Sequence, residues 1–408
     1  MNTIFLLIII FLTLGFISDL ILDLLNVNHI QPELPNLLAQ KYNKETYRKS
    51  QSYLKEHSRF GILVSIISFI AVLLLFLFGG FSWLNNLVFS FSSNPIITAL
   101  LFFGILGLVS DLAGIPFDIY STFVIEEKYG FNKTTPQTYI LDKLKSWLLA
   151  LVIGAPLMAF IVWLYTLTGS WFWLLAWVTI SFFSILLSFF YSTLIVPLFN
   201  KQQPLEEGDL RMAIEEMSRK AGFQLAKIFV INGSKRSTKA NAYFAGFGSK
   251  RRIVLYDTLI NDLTTSQILA VLAHEIGHYK KKHIIFTMIL SVLQSGILLF
   301  LFSLVSGNPA LANALHIDQP SFHISILVFG ILYSPISMIT GLFFNYLSRR
   351  FEYQADAFAA NLGYPEDLTN ALIGLSEKNL GNLTPHPAYV FVHYSHPPIL
   401  HRLQHLLR

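Results

Sequence analysis

The chain has no cysteine. Disulfides and thiolate metal ligands are therefore both excluded, and any metal site must be built from His, Asp and Glu. Charge is also scarce. Asp, Glu, Lys and Arg make up 13% of the 408 residues, roughly half the ~25% usual in soluble domains. There is no internal repeat and no low-complexity linker. What fills the chain instead is apolar: 53% of residues are hydrophobic and 36 are Phe. That composition describes an all-α polytopic membrane protein, not a soluble domain with a large core.

Apolar runs long enough to cross ~30 Å of hydrocarbon occur at about 3–22, 60–83, 96–113, 147–168, 172–194, 283–306 and 322–345. Seven transmembrane helices are expected. The first has no charged n-region and a long apolar stretch, so it reads as an uncleaved anchor and not a secretory signal. A second absence fixes the topology. The loops 84–95, 169–171 and 307–321 hold no Lys or Arg, and all 29 basic residues fall on the alternate loops. By the positive-inside rule those loops are cytoplasmic, with the N-terminus outside and the C-terminus inside. The net charge of +5 is then topology and gives no sign of a nucleic-acid partner. Asp19, Asp23 and Asp111 lie in or beside spans, which points to a wet interior.

Four segments follow. Residues 1–194 carry spans one to five with two cytoplasmic loops, 195–282 a cytoplasmic catalytic segment, 283–345 spans six and seven, and 346–408 a cytoplasmic C-terminal segment. Within the third loop, Leu205–Gly222 reads as an amphipathic helix ending at a C-cap glycine. Phe223–Ile231 and Arg252–Tyr256 read as short strands, with Ala240–Phe247 between them, which makes a small β-sheet. The tail reads as helical around 348–362 and 366–380.

The chemistry is carried by His274-Glu275-Ile276-Gly277-His278. Two histidines four apart on a helix project from one face and suit two ligands of one Zn²⁺. The apolar, Gly- and Pro-free run Ser266–Ala273 places them on a helix. Glu275 stands where it can take a proton from water that the metal has brought to a pKa of about 7. Such a site needs a third protein ligand and an open position. Glu352 is the best candidate. Asp356, one turn later on the same face, can hydrogen-bond a ligand histidine and fix its tautomer. On spacing alone, a solvated carboxylate pair beside Arg349 and Arg350 competes with this reading. Lys280, Lys281 and Lys282 mark the cytoplasmic boundary before span six. His57, His283, His386 and His393 read as structural or solvated.

These motifs, with Phe123–Thr135 (FVIEEKYGFNKTT), Asn241–Leu259 (NAYFAGFGSKRRIVLYDTL), Ser348–Ala360 (SRRFEYQADAFA) and Ser395–Leu403, follow one another along nearly the whole chain. Together they resemble the type I CAAX prenyl endopeptidases, integral-membrane zinc metalloproteases. The resemblance implies seven spans ringing a water-filled intramembrane chamber, capped on the cytoplasmic side by a mainly helical zinc-protease domain. It implies one Zn²⁺ on His274, His278 and Glu352, with Glu275 as general base. Asp356 would be second-shell support or a proton donor. Asn241 would hold the substrate backbone, and His396 and Arg402 would stand near the metal, His396 as donor to the oxyanion and Arg402 on the substrate side. The substrate would be a peptide or protein, with or without a lipid, cut beside the bilayer. Compact loops and a short tail suggest a bacterial inner-membrane member, the ER membrane being the eukaryotic counterpart. As most bacteria do not prenylate proteins, clearance of unprenylated membrane proteins is an alternative task. Readings of another class, a transporter or a scaffold with structural zinc, leave Glu275 without a role.

Overall fold

The computed structural model describes residues 2–223, 227–245 and 252–407. Apolar stretches become helices because a bilayer offers no partner for free backbone N–H and C=O groups. Among the described residues, five helical runs are long and apolar enough to cross a membrane: Thr3–Asn28, Lys44–Leu77, Pro95–Tyr129, Pro136–Phe199 and His283–Val305. A sixth arises when Phe322–Leu332 and Ser334–Asn361, bent by 57°, are taken as one span. The chain is a multi-pass membrane protein, but length and apolarity do not return the expected count of seven. The difference lies in Pro136–Phe199, a 64-residue run that contains both the fourth and the fifth expected spans. Within it, helices Ala155–Thr168 and Phe172–Phe190 pack on each other across a break at which Gly169 takes φ 51°. Leu14, Val109, Leu151, Phe182 and Leu304 are exposed, as apolar side chains on membrane-spanning helices are where lipid covers them.

Several carboxylates near membrane depth are paired. Asp111 accepts hydrogen bonds from Lys143 Nζ (2.8 Å) and Trp147 Nε1 (2.9 Å). Glu126 accepts from Tyr53 Oη (2.6 Å) and pairs with Lys239 (3.0 Å). Glu127 accepts from Asn132 Nδ2 at 2.9 Å.

The extramembrane part holds a four-stranded sheet of β1 (Gln202–Pro204), β2 (Lys227–Ile231), β3 (Ala242–Ala245) and β4 (Arg252–Tyr256), in the order β1-β2-β4-β3. Strands β2 and β4 are parallel, while β3 runs antiparallel to β4 with Ala242 opposite Leu255. Expected strand Arg252–Tyr256 is reproduced. The other two expectations, Phe223–Ile231 and Ala240–Phe247, shorten to Lys227–Ile231 and Ala242–Ala245. Their remaining parts at 224–226 and 246–247 lie outside the described residues. The helix expected from Leu205 begins at Asp209 and ends at Lys220, with Gly222 at φ 59° turning the chain into the sheet. Helix Thr265–Lys280 opens with a capping box of Thr264 and Gln267, which satisfies two orphan N–H groups at once. It packs on Ser334–Asn361 and Pro365–Lys378. One buried cluster joins Leu38, Tyr47, Ile214, Leu255, Leu272 and Leu403, so the segment after the first span and the C-terminal tail share the core under the metal-motif helix.

Candidate metal centre

His274 and His278 lie on the inner side of helix Thr265–Lys280, and Glu352 and Asp356 on the facing side of Ser334–Asn361. The two helices approach closely at Gly277. A Cβ built there would lie 3.0 Å from both Ala355 Cα and Phe358 Cβ. That closeness carries Glu352 to the histidines. His274 Nε2 and His278 Nε2 are 3.2 Å apart. Glu352 Oε1 lies 3.3 Å from His278 Nε2, and Oε2 lies 3.5 Å from His274 Nε2. Two donors bonded at ~2.0–2.1 Å to one tetrahedral ion lie roughly 3.3–3.4 Å apart; the histidine pair matches one such edge, and each of its nitrogens has one of the two Glu352 oxygens at a similar distance. Glu352 is 5% exposed and its Oε2 makes no hydrogen bond; the Arg402 guanidinium, 3.3 Å away, is its charge partner, and a cation among the three donors would add a second. The donor set fits a metal ion.

The surroundings orient these groups. His274 Nδ1 donates to Asp356 Oδ1 at 2.8 Å, which leaves Nε2 as a bare lone pair facing the centre. Asp356 is fully buried. Arg402 grips it with two bonds, Nη2 to Oδ1 at 2.6 Å and Nε to Oδ2 at 2.9 Å, and its Nη1 stands 3.3 Å from Glu352 Oε2. A planar guanidinium matches a carboxylate edge in this two-pronged way. His396 is mostly exposed, and its Nε2 lies 3.3 Å from Glu352 Oε1. Ser395 Oγ lies 3.0 Å from His396 Nδ1; a hydroxyl donating there leaves the hydrogen on Nε2, the atom aimed at the centre.

Glu275 is partly exposed and has no hydrogen-bond or ion-pair partner among the described residues. Burial pushes its carboxyl above the usual range, partly offset by His274 and His278. Such a group can collect a proton and give it back. Asn241 is exposed just before β3, and its Oδ1 accepts from Ala242 N at 2.8 Å. Strand β3 lies at the edge of the sheet and touches helix Thr265–Lys280.

Of the expected site residues, His274, His278, Glu352, Asp356, Arg402 and His396 meet at this centre with Glu275 next to His274 in the chain, while Asn241 lies just before β3, which touches the motif helix. Four residues with a part in the fold were missed. Gly277 reads as an ordinary glycine inside the motif. Glu126 and Lys239 belong to separate stretches that only the fold joins. His283, read as structural or solvated, lies against His278, with Nδ1 to Nδ1 at 3.1 Å. Its signal was the turn. Lys282 takes φ 59°, which ends one helix and starts the next at His283.

The matches to known proteins agree with this geometry. Residues 23–201 match the model described as CAAX prenyl protease N-terminal, five membrane helices, and residues 204–408 match peptidase family M48. The chain belongs to peptidase family M48. It is an integral-membrane metalloendopeptidase. It is 35% identical to the CAAX prenyl protease 1 homolog of Arabidopsis thaliana, over 97% of this chain and 95% of that one. Identity to the Homo sapiens homolog is 34%, over 93% and 88% of the two chains. Identity to CAAX prenyl protease 1 of Saccharomyces cerevisiae is 35%, over 91% and 88%. The crystal structure of S. mikatae Ste24p superposes with a TM-score of 0.95 at 34% identity, covering 100% of this chain and 99% of that one.

Proposed function

We propose that this M48 peptidase is a zinc endopeptidase that processes C-terminal CAAX peptides of prenylated proteins. The observation that carries the metal assignment is the His274, His278 and Glu352 donor set, whose ligand atoms all lie within 4.8 Å of one another. Two imidazoles and one carboxylate suit Zn²⁺. The names of the relatives support the substrate class.

When bound, zinc supplies a Lewis acid that polarises the scissile carbonyl and lowers the pKa of water. Glu275 takes the proton of the attacking water and delivers it to the leaving amine. His396 donates from Nε2 to the carbonyl oxygen as negative charge develops there, a contact worth ~3–4 kcal/mol of barrier. Asn241 and the free edge of β3 hold the substrate in extended form, since an edge strand offers unpaired backbone groups to an incoming peptide. Asp356 is a positioning residue in this account, because its full burial and three hydrogen-bonded contacts leave it no route to substrate. Arg402, expected on the substrate side, is 8% exposed and engaged by Asp356, so we assign it the same positioning role.

The seven-span topology belongs to this proposal. The break at Gly169 would return the chain across the bilayer, dividing the 64-residue run into two spans. The placement of all 29 basic residues on alternate loops supports a cytoplasmic catalytic centre formed by 195–282 and 346–408. The spans would ring a water-filled chamber. Short loops support a bacterial inner membrane, with the ER membrane as the eukaryotic counterpart.

The test is cleavage of a farnesylated CAAX peptide and its unprenylated copy by the purified full-length protein. Faster release of the C-terminal tripeptide from the farnesylated peptide is expected. Equal rates on both would turn the assignment to clearance of unprenylated membrane proteins. No cleavage of either by the zinc-loaded protein would exclude CAAX processing.

A further inference from the structure

His283 is only 4% exposed, although it opens a helix that runs into the membrane. Its ring stacks on Phe351, with centroids 4.1 Å apart and planes 11° from parallel. One ring nitrogen, Nδ1, lies 3.1 Å from His278 Nδ1, and the other, Nε2, lies 2.9 Å from Gln354 Oε1. We propose that His283 and Gln354 are positioning residues that hold His278 in its metal-binding tautomer through a directed chain of hydrogen bonds. This rests on the metal site assigned above and deepens it.

The direction of the chain follows from its two ends. An imidazole that ligates through Nε2 carries its hydrogen on Nδ1, and that hydrogen needs an acceptor. For His278 the acceptor is His283 Nδ1. A neutral His283 that accepts at Nδ1 carries its own hydrogen on Nε2, which donates to the amide oxygen of Gln354. Each donor meets one acceptor. The reverse assignment would place a hydrogen on His278 Nε2, which faces His274 Nε2 at 3.2 Å and Glu352 Oε1 at 3.3 Å. That atom could not then bind a metal.

The chain also ties the ligands into one unit. Phe351 and Gln354 flank Glu352 on helix Ser334–Asn361. The helix that delivers the third ligand therefore also delivers the surface on which His283 stacks and the oxygen on which the chain ends. His274 is fixed in parallel by Asp356 on the same helix. Both histidines are thus oriented by the helix that bears the carboxylate, so the donor set is arranged before metal arrives.

The test is zinc affinity, measured by chelator competition on the full-length protein in detergent, with melting of the metal-free form as a folding check. His283→Phe keeps a ring against Phe351 but accepts nothing, and should weaken zinc binding by about 10- to 100-fold. His283→Asn can place an amide oxygen near the position of Nδ1 and should recover most of that loss. Gln354→Leu alters an exposed position, disturbs packing least, and should weaken zinc by a smaller factor. Wild-type affinity in both His283→Phe and Gln354→Leu would overturn the proposal. So would an Asn variant that melts normally yet binds zinc as weakly as the Phe variant, because the loss would then be packing. Glu352→Ala separates the two levels: if it retains zinc at wild-type affinity, the metal-site assignment fails whatever His283 does.

Discussion

Gly277 and Ala355 touch backbone to backbone: a Cβ at position 277 would lie 3.0 Å from the Ala355 Cα and 3.2 Å from its carbonyl oxygen. Neither atom can rotate away. An added methyl must push the helices apart, at a cost of ~1–3 kcal/mol for an overpacked core. The same movement takes Glu352 from the histidines, three residues from the contact. Gly277→Ala should therefore lower both melting temperature and zinc content. Gly341→Ala, on the same partner helix with nothing within 4 Å, should leave both unchanged. Equal behaviour of the two variants in a thermal melt and a zinc assay would contradict this account.

Arg402 neutralises two buried carboxylates, Asp356 and Glu352. Removing one partner of a buried pair costs ~3–5 kcal/mol because the remaining charge is uncompensated. Arg402→Ala should melt well below wild type even without metal. Arg402→Lys should recover little, since an ammonium cannot reproduce the two-pronged grip. Melting curves of the three metal-free proteins decide it.

His396, beside Glu352, is mostly exposed. If it serves the reacting oxygen, His396→Ala should reduce kcat by about 10²–10³ with zinc content unchanged. A loss of zinc with little change in kcat per bound metal would make it a structural contact.

Burial is the largest influence on Glu275 and raises its carboxyl above the ordinary range, while His274 and His278 oppose the rise. The base form is the ionised one, so activity is present above this raised value and lost as pH falls through it. The acid limb of kcat/KM should therefore lie above the ordinary glutamate value of 4.5. The same sign makes the ionised form costly for folding: the group favours the folded state most at low pH, and that contribution is lost as pH rises through its raised value. Metal-free Glu275→Gln should accordingly be more stable than wild type at neutral pH. An acid limb below that value together with a less stable Gln variant would contradict this reading.

The EEKYGFN stretch acts at a distance. Glu126 binds Tyr53 and Lys239, and Phe131 O accepts from Thr238 N at 3.1 Å. These bonds hold Thr238 and Lys239, which lead into Asn241 and β3. Glu126→Gln should raise KM for a peptide substrate while zinc content stays constant; titration of rate against peptide concentration reads this directly.

Chemistry was far more legible in the sequence than architecture. A pair of histidines at helical spacing, and a carboxylate pair at the same spacing, announce themselves because the helix period is local. Their union depends on Gly277, whose role is an absence of atoms and leaves no pattern. The span count from the sequence and the count of long helical runs differ in Pro136–Phe199, where the chain turns at Gly169 with no charged residue to mark the break. The ion pairs of the carboxylates near membrane depth were not legible because the partners are remote in sequence: Lys143 lies on the next helix from Asp111, and Lys239 far from Glu126. His283 was missed for a related reason, since its meeting with His278 depends on the left-handed turn at Lys282.

The central claim is that Glu275 acts as the base beside a metal held by His274, His278 and Glu352. The most direct measurement compares peptide cleavage by purified wild type and Glu275→Gln at matched zinc content. Cleavage by wild type, none by the variant, and equal zinc in both is the predicted result. Cleavage that survives in the zinc-loaded variant would contradict the mechanism.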